Sequence, residues 1–345
     1  MFHPGPLNAL TDVPGITVGN AHDAELRSGV TVVRTGTGML CVADVGGGGP
    51  VTRQTSSVSA DTTLRAAHAV VFSGGSVYGL VSGDSVARAL AAEGIGYVPV
   101  PGTPPVPIVP GAAIYDLDNG GNKTGDVARY PELARHAFAA CATTFEIGSA
   151  GAGYGAVAGT WRGGLGTASL DLGDGAIVAA LAVANPVGSP LMPGSSCFWA
   201  WPFEIDAEFG GLRPSSDMPP STTLPADLKG SGALATTLVM VAVSIPLERM
   251  ALQRVAAMAQ DGMARAVRPI HAPFDGDTLL AVCPDGPVAI DHHRTLVLGT
   301  AAGDCVARAI ARGVWEAAGD WPEFPSVRSV VAAPAKPRGP SAASM

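Results

Sequence analysis

The run Thr236 to Val243, TTLVMVAV, carries the strongest strand signal in the chain, apolar on both faces from its third residue onward. Ala176 to Val183 is a second continuous apolar run and predicts another doubly buried strand. Val30 to Val33 and Met39 to Val45 read as two short strands separated by a glycine-rich turn, after which Asp44-Val45-Gly46-Gly47-Gly48-Gly49-Pro50 forces an irregular loop. From Gly79 to Leu90 the apolar residues recur at helical spacing, just downstream of the turn Gly74-Gly75-Ser76. Residues 131 to 146 predict a helix running into a strand. Ser244 is placed to cap a helix from about Pro246 to Ala266, striped by Leu247, Met250, Ala251, Val255, Met258 and Ala259. The turn Asp275-Gly276-Asp277 leads into a strand from Thr278 to Cys283, and a last helix is expected over roughly Ala301 to Ala317.

Between Gly210 and Ala235 this pattern lapses into GGLRPSSDMPPSTTLPADLKGSGALA, dense in Pro, Ser and Gly, which predicts an exposed, mobile segment. The boundary near 235 separates a long N-terminal part from a shorter C-terminal one. A strand as apolar as 236–243 needs neighbours on both faces, so the expectation is one composite domain interrupted by a loop. The tail 332–345, from Ala332 onward, reads as disordered.

Composition narrows the class. With 345 residues, 47% of them hydrophobic, the chain is committed to a large core, and its 45 Gly and 29 Pro are scattered between apolar runs as in a loop-rich α/β or α+β fold. Lys and Arg number 21 against 29 Asp and Glu, which leaves no basic surface for nucleic acid or an anionic membrane. No stretch approaches the ~18 apolar residues of a membrane span, and the N-terminus lacks a signal-peptide pattern. A soluble, cytoplasmic protein is expected. Its five cysteines, Cys41, Cys141, Cys197, Cys283 and Cys305, are widely spaced and read as buried free thiols.

Several kinds of chemistry are poorly supported. Gly151-Ala152-Gly153-Tyr154-Gly155 suggests a dinucleotide turn, but the residues that follow, Thr160 to Gly166, are too glycine-rich to open the helix such a turn requires. No cofactor is called for. His292-His293 has no companion ligand spacing, so no metal is expected, and no GxSxG elbow marks a serine triad. There remains Ala235-Thr236, where a loop runs straight into a buried strand whose first residue carries a hydroxyl. Attack of that hydroxyl on the Ala235 carbonyl, followed by ester hydrolysis, would free a Thr236 amine able to serve as base for its own hydroxyl.

A series of motifs bears on this reading: Leu10-Thr11-Asp12-Val13-Pro14-Gly15-Ile16-Thr17-Val18-Gly19, Gly29 to Val33, Asp44-Val45, Thr52-Arg53, Gly74-Gly75-Ser76-Val77-Tyr78-Gly79-Leu80, Gly151-Ala152-Gly153, Gly163 to Gly166, Asn185-Pro186, Thr236-Thr237-Leu238 and Gly276-Asp277. In this order, from residue 10 to about 317, they resemble the DmpA-like family of L-aminopeptidase/D-Ala-esterase/amidases, β-peptidyl aminopeptidases and nylon-oligomer hydrolases. The resemblance implies a four-layer αββα sandwich of the N-terminal-nucleophile-hydrolase type, cut into chains 1–235 and 236–345 that stay associated, commonly as a homo-oligomer, a tetramer of such pairs. It implies Thr236 as nucleophile, Ala235 and Thr236 as the cleavage site, Asn185 as an oxyanion donor, and Asp275 and Asp277 as carboxylates beside the Thr236 amine. The substrate would be a small amide or peptide. Asp at 275, where β-aminopeptidases carry Ser, resembles the nylon-oligomer branch.

Three departures accompany the resemblance. Relatives often place Lys after the GAG segment, where this chain has Thr160 and then Arg162. The residue before the nucleophile is Ala235 instead of Gly or Asn. Where aminopeptidase members carry a Val-Gly-Glu acid that anchors a substrate ammonium, the chain has Ala113, within Gly111 to Asp116. An amidase acting within short linear substrates is therefore expected, with Tyr115, Asp116, Tyr78 and Gly75 on the substrate side. A broad-specificity or β-peptidyl aminopeptidase is one alternative, and an unprocessed binding or assembly module is another.

Overall fold

The structure is a computed structural model; it describes residues 2–59, 61–123, 129–218, 223–230, 232, 234–286, 291–319 and 321–332. The strands, in chain order, are β1 (Thr17–Asp23), β2 (Ser28–Val45), β3 (Thr52–Arg53), β4 (Ala66–Ser73), β5 (Gly111–Ala113), β6 (Val157–Ala158), β7 (Trp161–Arg162), β8 (Gly164–Asp171), β9 (Ile177–Asn185), β10 (Thr236–Val243) and β11 (Thr278–Cys283). The helices are α1 (Ser82–Ala92), α2 (Arg129–Ala139), α3 (Arg249–Ala266), α4 (His292–Trp315) and α5 (Val327–Ala332).

Nine strands hydrogen-bond in the order β3-β5-β4-β2-β11-β10-β9-β8, with β1 joined to β2, and they fold back on themselves as two packed halves. Side-chain alternation shows this directly. In β10, Leu238, Met240 and Ala242 share a cluster with Leu181 and Val183 of β9, Leu280 and Val282 of β11, and Val70 and Phe72 of β4 from the other half. Val239, Val241 and Val243 turn the opposite way, onto Leu252, Val255 and Met263 of α3 and Val306 and Ile310 of α4. A third cluster puts Val30, Val32, Ala69 and Val71 against α1 and α2. The layers are thus helix, sheet, sheet, helix: an αββα sandwich, as the family resemblance implies. The apolar double face read in 236–243 exists because this strand is covered on both sides. Close approach of α3 and α4 depends on small residues, since a Cβ on Gly262 would meet the Gly303 carbonyl oxygen at 2.3 Å.

Some expectations are corrected. The two short strands at 30–33 and 39–45 are one strand, β2, whose register against β4 shifts between Arg34 and Met39. Gly36 and Gly38, at φ 62° and 121°, make a bulge that bends β2 from one half of the sheet into the other and do not end it. No strand forms between the end of α2 and residue 146; Ala142 makes only a single bridge to Val18. Ser244 caps no helix: its hydroxyl accepts the Ile177 N–H, and α3 begins five residues later with Met250 exposed. The helix expected over 301–317 is α4, which starts at His292, where Asp291 accepts the His293 and Arg294 N–H groups, and α5 follows it.

Cys41, Cys197, Cys283 and Cys305 are buried free thiols and Cys141 is half-buried. The described residues of the 210–235 segment are mostly exposed, but 227–229 are pinned: Thr160 N–H donates to the Asp227 carbonyl, Trp161 Nε1 and Ser189 Oγ donate to the Asp227 carboxylate, and Lys229 N–H donates to Val187. The tail 333–345 lies outside the described residues. No described helix is long and apolar enough to cross a membrane.

Candidate active site

Three neighbouring strands, β9, β10 and β11, bring the candidate residues to one end of the sheet. Thr236 opens β10 and is the Cα partner of Asn185, the last residue of β9, so the two side chains lie on the same face, the one carrying Leu238 and Val183 between the two sheet halves. β11 runs parallel to β10 on its other side, and the turn that precedes it folds across the front of β10, with Ala235 bridging to Asp275. Thr236, Asn185, Asp275 and Asp277 are all buried, the last two with no exposed surface.

At the junction, Thr236 Oγ1 donates to the Ala235 carbonyl oxygen at 2.5 Å, and the same oxygen accepts the Gly276 N–H at 2.8 Å. The hydroxyl therefore lies against the one carbonyl that a self-cleavage step would attack, and a backbone donor is aimed at the oxygen that would take up charge. Room for this comes from Gly276, because a Cβ there would stand 2.6 Å from Thr236 Oγ1.

The two carboxylates do different things. Asp277 Oδ1 accepts the Thr237 N–H at 2.6 Å, and its Oδ2 accepts the His271 N–H and meets His271 Nδ1 at 2.8 Å. That hydrogen bond holds the imidazole above its ordinary pKa, against desolvation. Asp275 accepts the Ala272 N–H at 2.8 Å and the Val187 N–H at 3.3 Å. Burial, reinforced by the charge on Asp277, pushes Asp275 up to about 6.

Asn185 is oriented by its partners. Val157 N–H (2.9 Å) and the Lys229 ammonium (2.8 Å) both donate to Oδ1, whereas Nδ2 donates to the Tyr115 carbonyl at 3.0 Å. Donors on one side and an acceptor on the other fix which way the amide faces. Beside it lies a cavity of about 170 Å³, walled by Tyr115, Asp116, Asp118, Asn119, Thr160 and Phe324 and closed by Leu228 to Gly230.

Of the residues expected on the substrate side, Tyr115 and Asp116 line this cavity. Gly75 and Tyr78 do not. Gly75 N–H donates to Asp116 Oδ1, and Tyr78 is 53% exposed on the outer surface. Ser28 Oγ donates to the other Asp116 oxygen, and burial raises the pKa of this carboxyl. Thr160 lines the cavity, whereas Arg162 packs 3.4 Å from the centre of the Trp321 ring and donates to Ser149 and Tyr154. Ala113 is buried in β5 and presents no acid. Among the described residues no cluster of three or more His, Cys, Asp or Glu is arranged to hold a metal ion.

Lys229, His271, Asp118 and Asn119 are the site residues that sequence reasoning missed. Lys229 keeps some surface in solvent while its ammonium reaches inward, and burial brings it down to about 7 against Asp118, Asp275, Asp116 and Asp277, which favour the charged form.

Comparison with known proteins places the chain in a family. Residues 8–319 match peptidase family S58. An uncharacterised aminopeptidase of Mycobacterium leprae is 40% identical over 88% of this chain and 89% of its own length. A 6-aminohexanoate-oligomer endohydrolase of a Kocuria species is 30% identical over 79% of this chain and 74% of its own. Among solved structures, a Burkholderia β-aminopeptidase superposes with a TM-score of 0.67 at 21% identity, covering 92% of this chain and 89% of that one. The L-aminopeptidase D-Ala-esterase/amidase of Ochrobactrum anthropi, described as a new variant of the Ntn hydrolase fold, superposes at 0.65 and 20% identity, covering 94% and 91%.

Proposed function

The chain belongs to peptidase family S58, whose chemistry is amide-bond hydrolysis, and on that premise we propose that it is a self-processed hydrolase with Thr236 as its N-terminal nucleophile. The observation that carries this reading is the contact of Thr236 Oγ1 and Gly276 N–H with the single carbonyl of Ala235. In processing, Oγ1 attacks the Ala235 carbonyl carbon, the C–N bond to Thr236 breaks, and the hydroxyl proton passes to the departing nitrogen. Water then hydrolyses the ester, leaving an Ala235 carboxylate and a free Thr236 amine and hydroxyl.

In turnover the amine takes the hydroxyl proton, Oγ1 attacks the substrate acyl carbon, and the leaving amine is protonated as the amide bond breaks. Water releases the acyl group from Oγ1. Asn185 Nδ2, turned to the cavity side by Lys229 and Val157, supplies a neutral donor for the developing oxyanion. Asp277 fixes the backbone beside Thr236 through Thr237 N–H, and Asp275, on the turn bridged to Ala235, is assigned as the second carboxyl of the site.

The substrates are short linear amides, peptides or ω-amino-acid oligomers, accepted whether or not their amino end is free, a reading supported by Ala113 at the position where aminopeptidase members carry an anchoring acid. One observation favours a second reading, an aminopeptidase: Asp116 and Asp118 both line the cavity and could face a substrate ammonium. Comparing kcat/KM for a free-amine short amide and its N-acetyl derivative separates the two. Values within about tenfold, ~1.4 kcal/mol, support the first reading, and activity confined to the free amine establishes the second.

A further inference from the structure

Lys229 belongs to the Pro/Ser/Gly-rich segment, where nothing in the pattern distinguishes it from a solvated lysine. Its main-chain N–H donates to the Val187 carbonyl at 3.0 Å, and its ammonium donates to Asn185 Oδ1 at 2.8 Å and to the Asn185 carbonyl at 3.0 Å. One ammonium thus grips both ends of the same asparagine, and its third N–H has no acceptor among the described residues. Leu228, Lys229 and Gly230 also close one side of the cavity next to Asn185. We infer that Lys229 is a positioning residue for the hydrolysis proposed above: it locks the Asn185 amide with Nδ2 available to the acyl oxygen and keeps a positive charge behind it.

The chemistry follows from the geometry. An amide able to rotate presents its oxygen to the developing oxyanion as readily as its nitrogen, and an ammonium on Oδ1 forbids that rotation. A cation behind the amide also polarises its N–H bonds at a buried asparagine, where such a charge acts strongly. Every carboxylate facing the ammonium, Asp118, Asp275, Asp116 and Asp277, favours its charged form, whereas burial brings it down to about 7. The charge is accordingly present below neutrality and lost above it. Topology adds a consequence. Cleavage at 235/236 leaves Lys229 and Asn185 on the N-terminal fragment and Thr236, Asp275 and Asp277 on the C-terminal one, so neither fragment alone completes the site.

This inference rests on the proposed function, and one set of measurements separates the two. Wild type, Lys229→Met and Lys229→Arg are purified at full length, checked for cleavage by intact mass, and assayed on an N-acetyl amide from pH 5 to 10. The expected result is that Lys229→Met cleaves and folds but loses about 10²-fold in kcat with little change in KM, the scale of a disabled oxyanion donor. Wild type should lose rate above about pH 7, and Lys229→Arg, always charged, should retain it there. If Lys229→Met fails to fold, Lys229→Ala is assayed with added ethylamine. Rescue by ethylamine and not by propanol supports the inference, and equal response to both overturns it. Wild-type kcat in Lys229→Met, or an unchanged alkaline limb in that variant, also overturns it and leaves the proposed function standing. A wild-type chain that neither cleaves nor hydrolyses overturns both.

Discussion

Gly276→Ala tests the junction geometry with a single methyl group. Gly276 has no left-handed backbone angle, so alanine can adopt its conformation, and its N–H remains available to the Ala235 carbonyl. The new Cβ, however, stands 2.6 Å from Thr236 Oγ1 and 2.9 Å from the Gly49 carbonyl oxygen. Ordinary contact begins near 3.4 Å, so the hydroxyl must withdraw by ~0.8 Å or leave its rotamer. Misplacing a reacting atom by roughly 1 Å costs about 10²-fold, close to 2.7 kcal/mol in the barrier. Processing of Gly276→Ala is therefore expected to slow by about that factor, followed as uncleaved chain against time by intact mass spectrometry. Overpacking should also remove on the order of 1–3 kcal/mol of stability, which a denaturant titration measures separately. Cleavage within about threefold of the wild-type rate in a folded variant would refute the assignment of Thr236 Oγ1 as the attacking atom.

Asn185→Ala removes the donor opposite Thr236, leaves the Tyr115 carbonyl without its partner and leaves the Lys229 ammonium only the main-chain carbonyl of residue 185; kcat should fall by about 10²–10³-fold in a chain that still cleaves or cleaves slowly, and an unchanged kcat would exclude Asn185 from the reaction. Asp275 gives a pH signature in the uncleaved Thr236→Ala chain. Its pKa is raised by burial and by Asp277 to about 6 when folded, against an unfolded value near 3.9, so its contribution is present below about pH 4 and is lost as pH rises through 6. The loss should be on the order of 2–3 kcal/mol in chemical denaturation and should flatten when Asp275→Asn is added; a slope unaffected by that addition would show that Asp275 is not the group responsible.

How far the sequence reveals the molecule depends on whether a signal is local. β9, β10 and β11 are legible because each is covered on both faces and reads as an uninterrupted apolar run. β2 is not, because Gly36 and Gly38 give the same composition whether they end a strand or bend it, and only pairing with β4 distinguishes the two. The start of α4 is not legible for a similar reason, since Leu296 faces solvent and the polar first turn carries no stripe. At the site, the motif residues Thr236, Asn185, Asp275 and Asp277 converge because they cap adjacent strands. Lys229 and His271 carry no such mark: one reaches Asn185 across 44 residues of chain, and the other is positioned by a left-handed backbone angle (φ 57°) that no spacing rule reveals. Tyr78 fails as a cavity residue because its motif serves the fold, with Gly75 holding Asp116 and the tyrosine left on the outside.

The account depends on Thr236 becoming a chain terminus. Intact-mass spectrometry of the freshly purified protein beside Thr236→Ala, with the fragments sequenced at their ends, measures this directly. The expected result is two fragments meeting between Ala235 and Thr236 in the wild type and a single uncut, inactive chain in the variant. A wild-type chain that hydrolyses amides while remaining whole, or a Thr236→Ala chain that still splits at that bond, would contradict it.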